Sequence, residues 1–220
     1  MKILALTRLL FITLPLVGCG SNPTEVKLPA SPQNVTTEQT TQWGFDGDAV
    51  DSLPAGVESF SGKWVVRAET DAPSPPNALC QIETTEFPAL SLSTRVYTDV
   101  VVSTRFKPIS GTMDQAAGII FRIQDQDNYY ILRANALENN VNIYKYAGGQ
   151  RSGIKDGSAQ VVSGQWQELR VEVTGNLIRG FLNDQLVVEA TDDTYPAGRI
   201  GLWTKVDSVT CFDDIQANLP

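Results

Sequence analysis

The stretch "LRVEVTGNLIRGFLNDQLVVEA", residues 169–190, decides the fold class of this chain. In its first part apolar residues alternate with charged ones, in the order Leu169, Arg170, Val171, Glu172 and Val173. A period of two places the apolar side chains on one face of a strand and the charged ones on the other. Two turn signals, Gly175-Asn176 and Asn183-Asp184, divide the stretch. The pattern therefore predicts consecutive antiparallel strands joined by tight turns.

The same period continues through the chain from Trp43 onward. Short runs rich in β-branched and aromatic residues include "TRVYTDVVVSTRFKP", "NYYILRANAL" and "GRIGLWTK", and turn-forming residues separate them. No segment shows a convincing helical spacing. About ten or more such strands in one domain are typical of a sandwich. The sequence thus predicts an all-β domain over residues 43–220, built as a two-sheet antiparallel jelly-roll sandwich.

The amino terminus, "MKILALTRLLFITLPLVGCGSNPT", is basic at its start and apolar from Leu9 to Val17. A helix that crosses a bilayer needs about 20 apolar residues, so this run is too short to span one. Residues 1–18 are therefore predicted to be an export signal. Residues 19–42 are rich in Ser, Thr, Pro, Asn and Gln, which predicts a disordered tether.

Leu16-Val17-Gly18-Cys19 resembles the cleavage box of bacterial lipoproteins. In that family the signal is cut before the cysteine, which then carries the fatty chains. The resemblance implies a lipid anchor on Cys19 in the bacterial cell envelope. The residues that follow, Gly20-Ser21, lack the retention aspartate of the inner membrane, so the outer membrane is the expected address. A plain secretory signal, with Cys19 incidental, is the alternative.

Charge and composition exclude several classes of function. The net charge is −8, and loss of residues 1–18 would remove Lys2 and Arg8 and make it −10. Such an acidic chain without a basic run is not expected to bind nucleic acid, and only its lipid would hold it at a membrane. The chain has no histidine, which excludes histidine bases, Ser-His-Asp triads and histidine-bound metals. We expect a monomer.

Three longer stretches resemble the concanavalin A-like lectin/glucanase superfamily. They are "GIIFRIQDQDNYYILRANALENNVNIYKY", "GQWQELRVEVTGNLIRGFLNDQLV" and "YPAGRIGLWTKVDSVTCFDDI". The branch they are most similar to is that of bacterial domains labelled 3-keto-disaccharide hydrolase, which are like family-sixteen glycosidases. The resemblance covers about residues 43–218. It implies a curved jelly roll whose concave face receives glycans.

Family-sixteen glucanases carry a Glu-x-Asp-x-Glu triplet on one strand, because a retaining reaction needs paired carboxylates about 5 Å apart. This chain has no such triplet. The acidic residues of "EATDD" read as turn residues before Tyr195-Pro196, since Asp192 and Asp193 would point to opposite sides of a strand. The glucanase activity is therefore not carried over to this chain.

A ligand platform is predicted on one sheet. In "NYYILRAN", Tyr129, Arg133 and Asn135 share a strand face, where a ring can stack on a sugar and polar groups can reach its hydroxyls. Neighbouring strands are expected to add Arg122 and Tyr144. The alternative is a partly exposed face with structural arginine–carboxylate pairs. Trp203 fits either the core or the platform.

Two acidic clusters stand near the two ends of the domain. They consist of Asp46 and Asp48 in "FDGD" and of Asp213 and Asp214 in "CFDDI". First and last strands of jelly rolls commonly lie side by side, so these carboxylates are candidate ligands of a structural calcium ion. Solvated turn acids are the alternative.

If Cys19 carries lipid, Cys80 and Cys211 remain as a pair in an oxidising compartment. Jelly-roll topology tends to place the opening and closing strands next to each other, so a disulfide between them is predicted. Two separate buried thiols are the alternative reading.

Three functions fit the sequence. The first is a lipid-anchored envelope protein that binds a glycan or another surface ligand without catalysis, which the missing histidine and triplet favour. The second is a hydrolase or lyase that acts on 3-keto-glycosides or related sugars. The third is a structural scaffold of the envelope.

Cys19 is expected to be acylated after loss of residues 1–18, because the apolar run and the cysteine box occur together. The intact mass of detergent-extracted protein checks this expectation. A mature species that starts elsewhere and carries no acyl mass would contradict it.

Overall fold

The computed structural model describes residues 40–220, which belong to one compact unit, Thr37–Pro220. The predicted signal peptide, Cys19 and nearly all of the tether lie outside the described residues, so they stay predictions. Within residues 40–220 no helix has the length and hydropathy of a membrane span. The strands of this region are β1 (Thr41–Trp43), β2 (Glu58–Ser61), β3 (Trp64–Ala68), β4 (Asn77–Gln81), β5 (Ala89–Ser91), β6 (Val100–Ser110), β7 (Ala116–Asp125), β8 (Asn128–Asn135), β9 (Asn140–Ala147), β10 (Gln150–Lys155), β11 (Gln167–Thr174), β12 (Leu177–Leu182), β13 (Gln185–Thr191), β14 (Arg199–Trp203) and β15 (Val209–Asn218).

The strands form two antiparallel sheets. One has eight strands, in the order β13-β12-β11-β6-β15-β4-β3, with β1 also paired to β15. The other has seven strands, in the order β10-β9-β8-β7-β14-β5-β2. The predicted all-β sandwich of two antiparallel sheets is confirmed.

Residues 169–190 span three consecutive strands, β11, β12 and β13, as predicted. β11 pairs with β12 from Leu169 opposite Leu182 to Thr174 opposite Leu177, and β12 pairs with β13 in turn. The burial of β11 alternates residue by residue, with Leu169, Val171 and Val173 fully buried. The alternation is strict because one face of the strand meets the other sheet and the opposite face meets solvent.

The main core lies between the two sheets. Val102 and Phe106 of β6 and Val171 of β11 belong to the same buried cluster as Phe121 and Leu132 of the seven-stranded sheet. Their side chains point inward from facing sheets, as in aligned sandwiches. Burial of these apolar rows is the main stabilising contribution to the fold.

The closing strand β15 lies beside two early strands, β1 and β4. Cys211 of β15 is directly opposite Cys80 of β4, with the two α-carbons 4.0 Å apart, and the sulfurs are bonded. The predicted disulfide is confirmed. It links residues 131 positions apart and lies fully buried on the outer side of the eight-stranded sheet, against Ala78 and Trp166.

Replacing both cysteines, as Cys80→Ala/Cys211→Ala, is expected to lower the free energy of unfolding by about 4 kcal/mol. The reason is that the bond closes a long loop and so restricts the unfolded chain. Urea unfolding of both proteins measures the difference. Two titratable thiols in denatured, unreduced wild-type protein would show that the bond does not form.

Candidate functional site

The seven-stranded sheet is buried on both faces in its middle. All residues of β8 after Asn128 are buried, and so are the first eight of β7. Ile119 and Leu132 point toward the other sheet, whereas Ile120, Ile131 and Trp203 belong to a second apolar cluster. This second cluster draws its buried residues from the seven-stranded sheet, so it lies on the outer face of that sheet.

Aromatic rings cover this outer face. Phe87, which lies between β4 and β5, stacks on Trp203 of β14 with 5.6 Å between ring centroids. Tyr146 of β9 stacks on Tyr129 of β8 at 4.8 Å and meets Phe87 edge-on at 5.8 Å. Stacked and edge-on pairs at such distances are favourable beyond the area they bury. The four rings form one continuous layer.

Three rings of this aromatic layer, those of Phe87, Tyr129 and Tyr146, line a cleft of about 290 Å³. This volume is at the lower end of the range for small-molecule pockets, about 300–1,000 Å³. Aromatic rings, short polar side chains and two carboxylates line it. The lining residues are Phe60, Ser61, Thr85, Glu86, Phe87, Ala89, Gln126, Asp127, Tyr129 and Tyr146.

The cleft carries negative charge. Within residues 40–220 no arginine or lysine forms an ion pair with Glu86 or Asp127. Burial raises the pKa of the Tyr146 phenol, and the nearby charges of Asp127 and Glu86 raise it further. Burial likewise raises the pKa of Tyr129. Both phenols therefore stay neutral at physiological pH and can donate hydrogen bonds.

Arg133 of β8 and Tyr144 of β9 lie on the outer face together with Tyr129. Arg133 is almost fully buried, and its Nη2 donates to Glu138 Oε2 at 2.7 Å and to Asn140 Oδ1 at 2.6 Å. Its guanidinium carbon lies 5.3 Å from the centroid of the Tyr144 ring. The arginine–carboxylate pair agrees with the alternative reading of this face, and a contact of Arg133 with ligand stays a prediction.

Asn135 ends the same strand and is fully buried. Its Nδ2 donates to Asp114 Oδ1 at 2.7 Å, and its Oδ1 accepts from the backbone N–H of Leu137 at 3.0 Å. The amide is thus engaged within the fold, and the Lys205 ammonium group pairs with the same Asp114 carboxylate, 2.9 Å from its Oδ2. A ligand contact of Asn135 also stays a prediction.

The structure corrects the predicted position of Arg122, which does not join Tyr129 and Arg133. Arg122 has a φ of 50° at an irregularity of β7, where the pairing with β8 shifts. Its guanidinium donates to the backbone carbonyls of Thr98 at 2.9 Å, Gly175 at 2.5 Å and Tyr195 at 3.0 Å. Gly198 permits the close approach here, since a Cβ on it would lie 2.3 Å from the Arg122 carbonyl carbon. Arg122 therefore has a structural role, because its side chain holds three connecting segments together by hydrogen bonds.

Of the acidic residues at the two ends of the domain, Asp46 and Asp213 are brought together by a shared hydrogen-bond donor, Ser74. Asp213 is fully buried and accepts from the Ser74 backbone N–H at 2.8 Å, while Asp46 accepts from the Ser74 hydroxyl at 3.3 Å. Burial raises the pKa of Asp213. Among the described residues, no N–H or O–H group donates a hydrogen bond to the carboxylate of Asp48 or Asp214. The predicted calcium site stays a prediction.

A second group of metal-ligand residue types is formed by Glu69, Cys80 and Cys211, whose ligand atoms lie within 4.8 Å of one another. The two sulfurs are bonded to each other. A disulfide offers no thiolate, which is the form of cysteine that binds metals. This group is therefore unsuited to a metal while the disulfide is intact.

Tyr129 is the cleft residue that the strand pattern had singled out as a ligand residue, and sequence reasoning missed the others. Glu86 and Phe87 lie in the connection between β4 and β5, and Phe60 lies in the four-residue strand β2. None of them belongs to a run long enough to show a strand pattern. Tyr146 had a usable signal, because "NIYKY" places it on the same strand face as Tyr144. Arg151 of β10 was also missed, although it lies among the rings of this face.

Comparison with known proteins places the fold among carbohydrate-related domains. The sequence profile of the 3-keto-alpha-glucoside-1,2-lyase-like domain matches residues 54–218. A levanase from Bacillus subtilis is 27% identical over 103 residues, which are 46% of this chain and 15% of the levanase. The chain thus corresponds to a small part of that enzyme's length.

Two solved structures illustrate the likeness of fold. The carbohydrate binding module CBM66 from Bacillus subtilis has a TM-score of 0.62 and 20% identity, and the match covers 74% of this chain and 95% of the module. The transglycosylase Crh5 in its apo form has a TM-score of 0.54 and 10% identity, over 82% of this chain and 83% of that one. At these identities the likeness shows a sandwich fold that occurs in both binding and catalytic proteins.

Replacement of Glu138 by Gln is expected to lower the free energy of unfolding by about 1 kcal/mol at pH 7, a value reduced because Glu138 is partly exposed. Burial alone would raise the pKa of Glu138, but the Asn140 amide and the Arg133 guanidinium outweigh it and lower the pKa. A lowered pKa in the folded state stabilises the protein above the ordinary value of 4.5, and this contribution is lost as the pH falls.

Thermal or urea unfolding of wild type and Glu138→Gln between pH 7 and pH 3 measures this effect. The difference between them should shrink as the pH falls below the ordinary pKa. The exposed Glu83, changed to Gln, serves as the matched control, since no arginine or lysine pairs with it among the described residues. A constant difference at all pH values would show that the Arg133 pair does not act through charge.

Proposed function

Because the chain belongs to the family of 3-keto-alpha-glucoside-1,2-lyase-like domains, we propose that it binds a glycan in the cleft on the outer face of its seven-stranded sheet. The observation that carries the proposal is the lining of this cleft. Phe60, Phe87, Tyr129 and Tyr146 surround it together with Glu86 and Asp127. Rings stack on the apolar C–H faces of a sugar, while carboxylates accept hydrogen bonds from its hydroxyls.

The cleft suits a ligand that is held without rearrangement of the protein. Tyr129 and Trp203 are almost fully buried, and the rings of Phe87 and Tyr146 contact them directly. The ring layer is therefore fixed by its own packing before a ligand arrives. A site that is already ordered loses little conformational entropy on binding.

We favour binding without catalysis in this cleft. The chain has no histidine and no glucanase triplet. The second candidate is turnover of a sugar such as a 3-keto-glycoside, and the observation in its favour is that two carboxylates, Glu86 and Asp127, line the same cleft. An acid and a base from carboxylates are the usual requirement for glycoside hydrolysis.

A lipid on Cys19 would place this binding domain at the bacterial envelope, with the outer membrane favoured by Gly20-Ser21. The segment between Cys19 and β1 would act as the tether. We propose that the protein acts there as a monomer that contacts glycans of the envelope or of its surroundings.

A glycan array with the purified protein tests the proposed function. Phe87→Ala and Tyr146→Ala are each expected to weaken binding of the best ligand about tenfold, since loss of one stacking ring removes about 1–2 kcal/mol. Calorimetric titration measures the change.

Phe181→Ala is the matched control, because Phe181 lies under Arg170 on the eight-stranded sheet, away from the cleft. Equal binding by wild type and the two cleft variants would contradict the proposed site. Incubation with 3-keto-glycosides separates the two candidate functions. Product release that Glu86→Gln or Asp127→Asn abolishes would establish an enzyme.

For the calcium prediction, the buried Asp213 carboxylate is the residue with the best fit, because within residues 40–220 no cation pairs with it. Asp46, Asp48 and Asp214 are the other candidate ligands. Calcium should raise the melting temperature of wild type and leave that of Asp213→Asn unchanged. If the wild-type protein has the same melting temperature in calcium and in a chelator, the calcium prediction is wrong.

A further inference from the structure

The side chains of Arg151 and Phe87 meet on the outer face of the seven-stranded sheet, although they come from opposite edges of that sheet. Arg151 is on the edge strand β10, and Phe87 comes before β5 near the opposite edge. The guanidinium carbon of Arg151 lies 4.6 Å from the Tyr144 ring centroid, 5.1 Å from that of Phe87 and 5.7 Å from that of Trp203. The cation is thus held among three rings at the middle of the outer face, beside the cleft that Phe87 also lines.

Arg133 and Arg199, which lie on the same face as Arg151, each form an ion pair with a carboxylate, and among the described residues Arg151 does not. Arg133 is paired with Glu138 at 2.7 Å, and Arg199 with Glu58 at 2.6 Å. Within residues 40–220 no carboxylate pairs with Arg151, and its Nη1 is shielded from solvent without a hydrogen-bond acceptor. A guanidinium group in such surroundings lacks the acceptors that a buried cation normally has.

We infer that Arg151 selects a glycan with a negatively charged group, the carboxylate of a uronic acid, and binds that carboxylate at the edge of the cleft. The inference rests on the proposed glycan binding. Three ring centroids lie 4.6–5.7 Å from the guanidinium carbon. The N–H groups of a guanidinium point outward in its own plane, where a planar acceptor can meet them. A carboxylate matches the guanidinium fork in shape and charge. The rings hold the side chain in place, so little of its freedom is lost on binding.

The carboxylates of the cleft set the orientation of such a ligand. Glu86 and Asp127 line the cleft, where they repel a second negative charge and accept hydrogen bonds from neutral hydroxyls. The uronate carboxylate is therefore directed toward Arg151, and the hydroxyls of the ligand are directed toward Glu86 and Asp127.

A merely structural role predicts a different outcome. If Arg151 only braces the β9–β10 hairpin against Phe87, its loss changes stability and leaves ligand selectivity unchanged. Cation–ring contacts do stabilise proteins, so stability alone does not separate the two roles. The test must therefore compare the binding affinities of two ligands that have the same size and differ in charge.

The experiment compares an oligosaccharide that ends in glucuronic acid with its glucose-ended counterpart, by calorimetric titration at low and at high salt. Wild type is expected to bind the acidic ligand about tenfold or more tightly than the neutral one, as for a hydrogen bond between charged groups. The preference should decrease with salt. Arg151→Gln is expected to abolish the preference while binding of the neutral ligand changes less than about threefold.

Arg199→Gln is the matched control, since Arg199 also lies over a ring, that of Phe60, but is already paired with Glu58. It removes one positive charge and should keep the preference. Arg151→Met fills the same space without charge and replaces Arg151→Gln if the latter does not fold, as judged by thermal unfolding.

Equal affinity of wild type for the acidic and the neutral ligand overturns the inference and leaves the proposed function in place. The same holds if Arg199→Gln and Arg151→Gln reduce the preference to the same extent. If neither ligand nor any other glycan binds wild type, the proposed function and the inference both fail.

Discussion

The stacking of Phe87 on Trp203 is the contact on which the outer face of the seven-stranded sheet depends. Trp203 belongs to β14, in the interior of the sheet, and it would be exposed if the segment before β5 did not fold over it. The pair contributes about 0.5–1.5 kcal/mol beyond its buried area, which is modest. Its structural consequence is larger, because Phe87 also meets Tyr146 and Arg151 and forms a wall of the cleft.

The fold was predictable because its determinants are local. Strict alternation in Leu169–Val173 requires a strand with one buried face, and the short turns after it leave an antiparallel neighbour as the only arrangement. The same alternation places Tyr129 and Arg133 on one face of β8. The disulfide was predictable because the closing strand of such a sandwich lies beside the opening ones, as Cys211 and Cys80 show.

The rest of the site was not predictable, because it depends on departures from local rules and on distant contacts. One irregularity in β7 turns Arg122 away from the face that a regular strand would give it. Glu86 and Phe87 approach Tyr146 only because the sheet brings β5 and β9 into one layer, which no sequence spacing encodes. An ion pair between the buried Arg133 and the partly exposed Glu138 stabilises part of the face that the pattern had suggested for ligand.

The central claim is that the aromatic cleft of the seven-stranded sheet is where a glycan binds. Chemical-shift mapping with a glycan that binds the purified protein tests it most directly, since amide signals report the contacted surface without any substitution. We expect the shifts to cluster at Phe60, Glu86, Phe87, Asp127 and Tyr146. Shifts that cluster instead on the outer face of the eight-stranded sheet, around Arg170 and Phe181, would contradict the account.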